Sequence, residues 1–216
     1  MGFEIRVLTL GIAATNCYIL GDTETREAIL IDPVDQPELL LKTLSDEGWT
    51  LKLMLATHGH FDHVLASKGI KDATGVPFYI HELDQPFLDA LPERGVQWTG
   101  TRFPEAAIPD RYLTSQPEKI ELGSLKLHTL FTPGHSPGHI AFHWPDANLV
   151  FSGDALFKGS IGRTDLPGAN YETLMRSIFD KLIPLGDDTR VLAGHGNPTT
   201  IGSERQSNPF LLEYMR

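Results

Sequence analysis

Thr57-His58-Gly59-His60-Phe61-Asp62-His63 sets four metal-capable side chains within six residues, directly after the β-rich run 51–56. Alternate residues of an extended segment project to one side, so His58 and His60 are placed to grip one ion. The turn into a following helix then swings Asp62 and His63 toward a second. A cluster of this density where a buried strand ends marks the place at which a layered α/β protein exposes its chemistry.

Working outward, two further histidine-bearing turns follow β-rich runs: Thr132-Pro133-Gly134-His135-Ser136-Pro137-Gly138-His139 and Gly194-His195-Gly196. Ser152-Gly153-Asp154 is placed the same way, and its carboxylate has two oxygens with which to bridge two cations. Glycine beside each ligand lets the backbone turn sharply. His81, His128 and His143 lie in or beside strand-like runs and read as structural or surface groups. His139 is open to two readings, ordinary packing or orientation of a ligand.

The elements around these turns alternate in type. Strand patterns cover 4–10, 17–20 and 28–31, the last stopping at Asp32-Pro33. A capping box of Asp35 and Glu38, with Val34 and Leu39 as a hydrophobic staple, predicts a helix carrying Leu40 and Leu44 and ending at Gly48. A helix from about 64 to 73 and a strand at 77–80 follow. Residues 92–117, with several prolines and little periodicity, read as a long surface connection near the site. Strands are predicted at 119–122, 125–131, 140–144, 149–152 and 190–193, and a helix through Leu174, Ile178 and Leu182 is stopped by Pro184. Two runs of strands, each followed by helices, predict two sheets stacked face to face with helices outside.

Composition limits the function classes. The formal net charge is −10 and the pI is near 5.3, which disfavours partners held by their phosphates, so no nucleic acid is expected. A pair of divalent ions would add roughly four positive charges locally and attract a small anionic substrate. Cys17, the single cysteine, rules out an intrachain disulfide and a CxxC pair, points to a reducing compartment, and reads as a small core residue. The first twenty residues lack a basic leader, and no apolar run is long enough to span a membrane, so a cytoplasmic protein is expected.

HxHxDH followed downstream by His, Asp and His at strand ends resembles the metallo-β-lactamase superfamily, over essentially the whole chain. Position by position, the resemblance implies that His58, His60 and His135 hold one metal, that Asp62, His63 and His195 hold the other, and that Asp154 bridges. It also implies a four-layer αββα sandwich of class α+β or α/β, as a single domain over 1–216. Within the superfamily, THGHFDH, TPGHSPGH, SGDALF and GHGNPTT are most similar to glyoxalase II, the thioester hydrolase acting on acylglutathione. That likeness implies hydrolysis of S-(2-hydroxyacyl)glutathione by a metal-activated hydroxide, with Asp62 and Asp154 catalytic; a small-molecule thioester is the expected partner and a monomer the expected state. The class B β-lactamases look more distant, because they commonly place Cys or His in the second metal site, so antibiotic hydrolysis is not the expected main activity.

Two departures from glyoxalase II qualify the substrate. The C-terminal helical segment that carries glutathione-holding basic residues is expected to have no counterpart here. Gly162-Arg163-Thr164-Asp165 offers one cation, so Arg163 is the candidate for a substrate carboxylate, with a surface arginine packing on its loop as the competing reading. A similar loop occurs in persulfide dioxygenases, which bind one iron through two His and one Asp. That enzyme class and a non-catalytic metal-binding module are the alternatives. The all-nitrogen-and-oxygen donor set accepts zinc, iron or manganese, with zinc the first expectation.

Overall fold

The computed structural model describes residues 2–216 and divides into two compact units. The first comprises the chain through Leu113 together with Glu121–Leu125, and the second comprises Thr114–Ile120 with Lys126–Arg216.

In the first unit a six-stranded sheet runs in the order β1 to β6: β1 Phe3–Leu10, β2 Thr15–Asp22, β3 Glu27–Ile31, β4 Thr50–Leu55, β5 Phe78–His81 and β6 Arg111–Leu113. The first three are antiparallel neighbours and the last four are parallel. A parallel strand must be reached by a crossover, and α1 Pro37–Asp46 and α3 Ser67–Thr74 supply two of them. Leu40 and Leu44 of α1 and Ile70 of α3 join Leu30, Met54 and Ile80 of the sheet in one buried cluster. α1 ends in a Schellman motif: Gly48 at φ 66° donates to Ser45 O, Trp49 donates to Leu44 O, and the Trp49 and Leu44 side chains are both buried.

Three local expectations are corrected. The start of α1 is not a capping box. Gln36, in a left-handed conformation, is its N-cap without a side-chain bond, Asp35 accepts from the Gln36 backbone instead, and Leu39 is exposed rather than stapled to buried Val34. Pro37 at the first helical position explains the shift, since its fixed φ suits that place and its missing N–H is not needed there. The helix expected from 64 is two pieces, α2 Phe61–Val64 and α3, parted where Ala66 N–H donates out of the helix to Pro33 O.

The third concerns 92–117, which is not all loop. It contributes most of α5 Leu91–Thr99 and strand β6, following α4 Gln85–Asp89. Pro92 lies in the first turn of α5, Gly100 caps its end at φ 75°, and Gly95 meets the backbone of Thr101 and Phe103 so closely that a Cβ would overlap it. A proline that argues for a loop is thus the start of a helix, and two glycines form its packing face and its end.

The second sheet has the order β14-β13-β10-β9-β8-β7, from β7 Lys119–Leu122, β8 Leu125–Phe131, β9 Ile140–Trp144, β10 Leu149–Gly153, β13 Arg190–Ala193 and β14 Thr199–Thr200. β10 and β13 are parallel, whereas β8/β9, β9/β10 and β13/β14 are antiparallel. A two-stranded hairpin, β11 Leu156–Phe157 with β12 Ser160–Ile161, follows β10. α6 Tyr171–Ser177 begins with Asn170 accepting from Thr173 N–H and continues into a widened turn at 178–182, so the four-residue spacing of Leu174, Ile178 and Leu182 spans two kinds of helical turn. These three side chains pack with Val150, Val191, Ile201 and Leu211. The last two belong to α7 Ile201–Ser207 and α8 Pro209–Tyr214, which the hydrophobic pattern did not announce.

Two mixed six-stranded sheets, each with helices, are thus present, as the strand runs of the sequence predict. Among the described residues no helix is long and apolar enough to cross a membrane.

Candidate metal centre

The first donor cluster forms where β3 and β4 end side by side. Asp32 leaves β3 at φ 56°, and its buried carboxylate collects the loop that leaves β4. Oδ1 accepts from Thr57 N–H at 2.7 Å, and Oδ2 accepts from Thr57 Oγ1 at 2.8 Å and from His63 Nδ1 at 2.9 Å. With Nδ1–H committed to Asp32, the lone pair of His63 is on Nε2, which lies 3.5 Å from Asp62 Oδ2. Asp62 is held from the other side by Thr15, whose hydroxyl donates to Oδ2 at 2.7 Å.

His58 and His60 project as the extended alternation requires, with Nε2 of the first and Nδ1 of the second 3.0 Å apart. The His58 ring also stands 4.1 Å from that of His63, centroid to centroid. Ligand atoms of His58 and His60, of His58 and His63, and of Asp62 and His63 fall within 4.8 Å of one another. Gly59 between them serves packing: its N–H donates to Asp84 Oδ2 at 2.8 Å, and a Cβ would come within 2.9 Å of Asp84 O.

The second cluster centres on Asp154. A register shift between Phe151 and Gly153 precedes the last β10–β13 pair, Gly153 with Ala193, and Gly153 at φ 48° turns the chain into Asp154. Its Oδ2 lies 3.5 Å from His135 Nε2 and 3.3 Å from His195 Nε2. His135 Nδ1–H donates to the Arg163 carbonyl at 2.9 Å, which again leaves Nε2 as the donor atom. Gly134 (φ 134°) could not carry a side chain, because a Cβ would lie 2.3 Å from the backbone of Leu174. Gly162 is equally constrained, with a Cβ position 1.9 Å from Asp154 O.

Of the two readings open for His139, orientation is the one with a hydrogen bond behind it. Its Nε2 accepts from the Asp154 N–H at 3.0 Å, so Nδ1 carries the proton and donates to Thr132 Oγ1 at 2.8 Å. His81 is structural, with Nδ1 accepting from Leu83 N–H. Burial lowers the pKa of His143, and neighbouring His128 lowers it further.

His63 and His135, each with Nδ1–H fixed by an acceptor, present Nε2 as a lone pair, and carboxylate oxygens complete each cluster. Imidazole nitrogen with carboxylate oxygen is a donor set for borderline divalent ions such as zinc, iron or manganese, so these residues fit metal on their chemistry.

Arg163 contributes through its backbone. Its guanidinium is exposed and forms a bidentate pair with Asp165, at 2.8 and 2.7 Å, which pulls the Asp165 carboxyl down to about 2. Three residues that orient the donors had escaped notice in the sequence: Asp32, Thr15 and Asp84. Only Asp32 carried a signal, an Asp-Pro step closing a buried strand.

Cys17 is fully buried, and burial first, then the charge of Asp32, pushes its thiol far above the usual range. It is expected to resist a thiol reagent such as iodoacetamide in the native protein and to react fully after denaturation. Rapid native labelling would contradict this.

The metallo-beta-lactamase superfamily profile matches residues 10–195, a stretch that holds every donor named above. Hydroxyacylglutathione hydrolase GloC of Haemophilus influenzae is 40% identical over 96% of this chain and 98% of its own. Among solved structures, a B3 metallo-beta-lactamase, BLEG-1, superposes with TM-score 0.89 at 37% identity, covering 96% of this chain and 99% of its own. TTHA1623, solved in a di-iron-bound form, superposes with TM-score 0.85 at 41% identity, covering 95% of this chain and all of its own. This chain belongs to the metallo-β-lactamase superfamily.

Proposed function

We propose that the chain is a binuclear metal-dependent hydrolase that cleaves the thioester of S-(2-hydroxyacyl)glutathione. The observation that carries the activity is the 40% identity, over nearly the full length of both chains, to a protein named for that hydrolysis. The two donor clusters support the metal pair: His58, His60 and His135 take one ion, Asp62, His63 and His195 the other, and Asp154 bridges, with residues 1–216 acting as one domain.

Two divalent ions bound there would supply a water acidified from 15.7 toward ~7 and a Lewis acid for the carbonyl oxygen. Asp62, steadied by the Thr15 hydroxyl, accepts a hydrogen bond from the attacking water and aims it. His63 and His135 stay fixed in one tautomer by Asp32 and the Arg163 carbonyl, so neither ring must reorient during turnover. The departing thiol has an ordinary pKa near 8.5 and leaves as thiolate, so no side chain has to act as a strong proton donor. Arg163 is a proposed contact for a substrate carboxylate, in exchange with Asp165. Zinc is the proposed metal, and the di-iron form of TTHA1623 makes iron the first alternative. A cytoplasmic monomer completes the proposal.

A second reading, β-lactam hydrolysis, draws on the likeness to the B3 enzyme BLEG-1. The test is elemental analysis of purified protein beside assays on an acylglutathione, a chromogenic cephalosporin and glutathione persulfide. The proposal expects about two metal ions per chain and release of free thiol. One iron per chain with oxygen uptake on the persulfide would establish a dioxygenase instead, cephalosporin turnover without thiol release a lactamase, and bound metal without turnover a binding module.

A further inference from the structure

Four arginines of this acidic chain are committed to carboxylates: Arg6 to Glu4 and Glu47, Arg102 to Glu93, Arg163 to Asp165 and Arg205 to Asp187. Arg94, on α5, is not. Its guanidinium lies over the ring of Phe87, 5.6 Å from the centroid, and its buried Nε meets no acceptor among the described residues. The acids beside it in sequence are occupied, Glu93 by Arg102 and Asp89 by the Gln85 amide. A cation–π contact attracts a guanidinium but satisfies none of its N–H donors, so a half-buried arginine held this way keeps hydrogen-bonding capacity for an anion.

Its position is set by the first donor cluster. The Phe87 ring stands edge-on to His60, with centroids 5.1 Å apart and planes at 83°. Asp84, just before α4, is tied to Gly59 N–H, and a Cβ on Gly59 would sit 3.1 Å from Phe87 Cβ. Only glycine lets α4 approach the histidine loop this closely, and α5 follows after one residue. One aromatic ring therefore separates the guanidinium from a metal-donor histidine, and packing on both sides fixes that ring.

Building on the thioester reading above, we infer that Arg94 is a specificity-determining residue for anionic thioesters, receiving a carboxylate of the thiol half while Phe87 supports the guanidinium from beneath. Arg163 would have to release Asp165 before serving the same purpose. Arg94 has no carboxylate to release, and its planar fork suits bidentate recognition.

Arg94→Gln keeps the length and polarity of the side chain and removes its charge. Kinetics on an acylglutathione and on the same acyl group carried by an uncharged thiol separate recognition from chemistry. For the acylglutathione, KM is expected to rise about tenfold with kcat within twofold, equivalent to about 1.4 kcal/mol. For the uncharged thioester, kcat/KM is expected to stay unchanged. Arg94→Lys is expected to fall between, because it retains charge without the fork, and Arg163→Gln is expected to move KM less than Arg94→Gln.

Calorimetric binding of S-hexylglutathione, which is not cleaved, reads the same contact without turnover. Tenfold weaker binding by Arg94→Gln, in a wild-type protein that hydrolyses no thioester, would uphold the anion site and sink the hydrolase reading. Equal losses on charged and uncharged substrates, or unchanged binding of S-hexylglutathione by Arg94→Gln, would overturn the role of Arg94. Wild-type protein that neither binds S-hexylglutathione nor cleaves the acylglutathione would overturn it as well.

Discussion

Asp154→Ala is expected to lower acylglutathione turnover roughly 1,000-fold or more, since metal-centred charge stabilisation is worth several kcal/mol and each ~1.4 kcal/mol is tenfold in rate. The residue is mostly buried, and its Oδ2 lies 3.5 Å from His135 Nε2 and 3.3 Å from His195 Nε2. Removing the carboxylate leaves two imidazoles facing a gap and takes away the oxygens that the proposed function would have two cations share. The backbone N–H would still reach His139, so the loop is expected to keep its conformation and the protein its cooperative melt. Metal content by elemental analysis is expected to fall along with activity. A variant that keeps its metals and more than a tenth of wild-type turnover would refute the bridging role.

Asp32→Ala is expected to act through the two residues that its carboxylate orients, Thr57 and His63. Three donors lose their acceptor at once: Thr57 N–H, the Thr57 hydroxyl and His63 Nδ1–H. Each buried donor left unsatisfied costs about 1–3 kcal/mol, and because they share one carboxylate the losses are not additive, so a destabilisation of about 3 kcal/mol is expected. For a chain of this size that is roughly a 10 °C drop in melting temperature. His63 also loses the partner that keeps its lone pair on Nε2, so zinc affinity is expected to fall about 10- to 100-fold. Thermal melts and competitive zinc titration check the two effects separately. Wild-type zinc affinity in a folded Asp32→Ala protein would show that the Asp32–His63 pair is structural alone.

The difference between these two aspartates marks what a sequence discloses. Asp154 was legible as a candidate because a carboxylate in a turn after an apolar run, with glycine before it, is placed as a ligand would be, and the structure sets it beside His135 and His195. Asp32 was visible only as a strand stop. Its partners lie 25 and 31 residues away, and nothing in their spacing announces that β3 and β4 end together. Thr15 meets Asp62 across 47 residues, for the same reason. In 92–117 the prolines and the weak periodicity argue for a loop, whereas Pro92 sits in the first turn of a helix, where its cost disappears, and Gly100 caps the other end.

By itself, the sequence determined most of the strand-and-helix alternation, the candidate donor residues and, through its resemblance, the superfamily, because metal ligation demands particular atom types, densely placed, and strand ends are written in local hydrophobic runs. Tertiary structure alone decided which nitrogen of His63 and of His135 is free to donate. It also decided which residues hold Asp62 and Asp154 in place, and that the guanidinium of Arg94, rather than that of Arg163, is unclaimed by a carboxylate. Hydrogen-bond partners and ion pairs are chosen by proximity in space, and the parallel strand crossovers of this fold bring together residues that stand far apart along the chain.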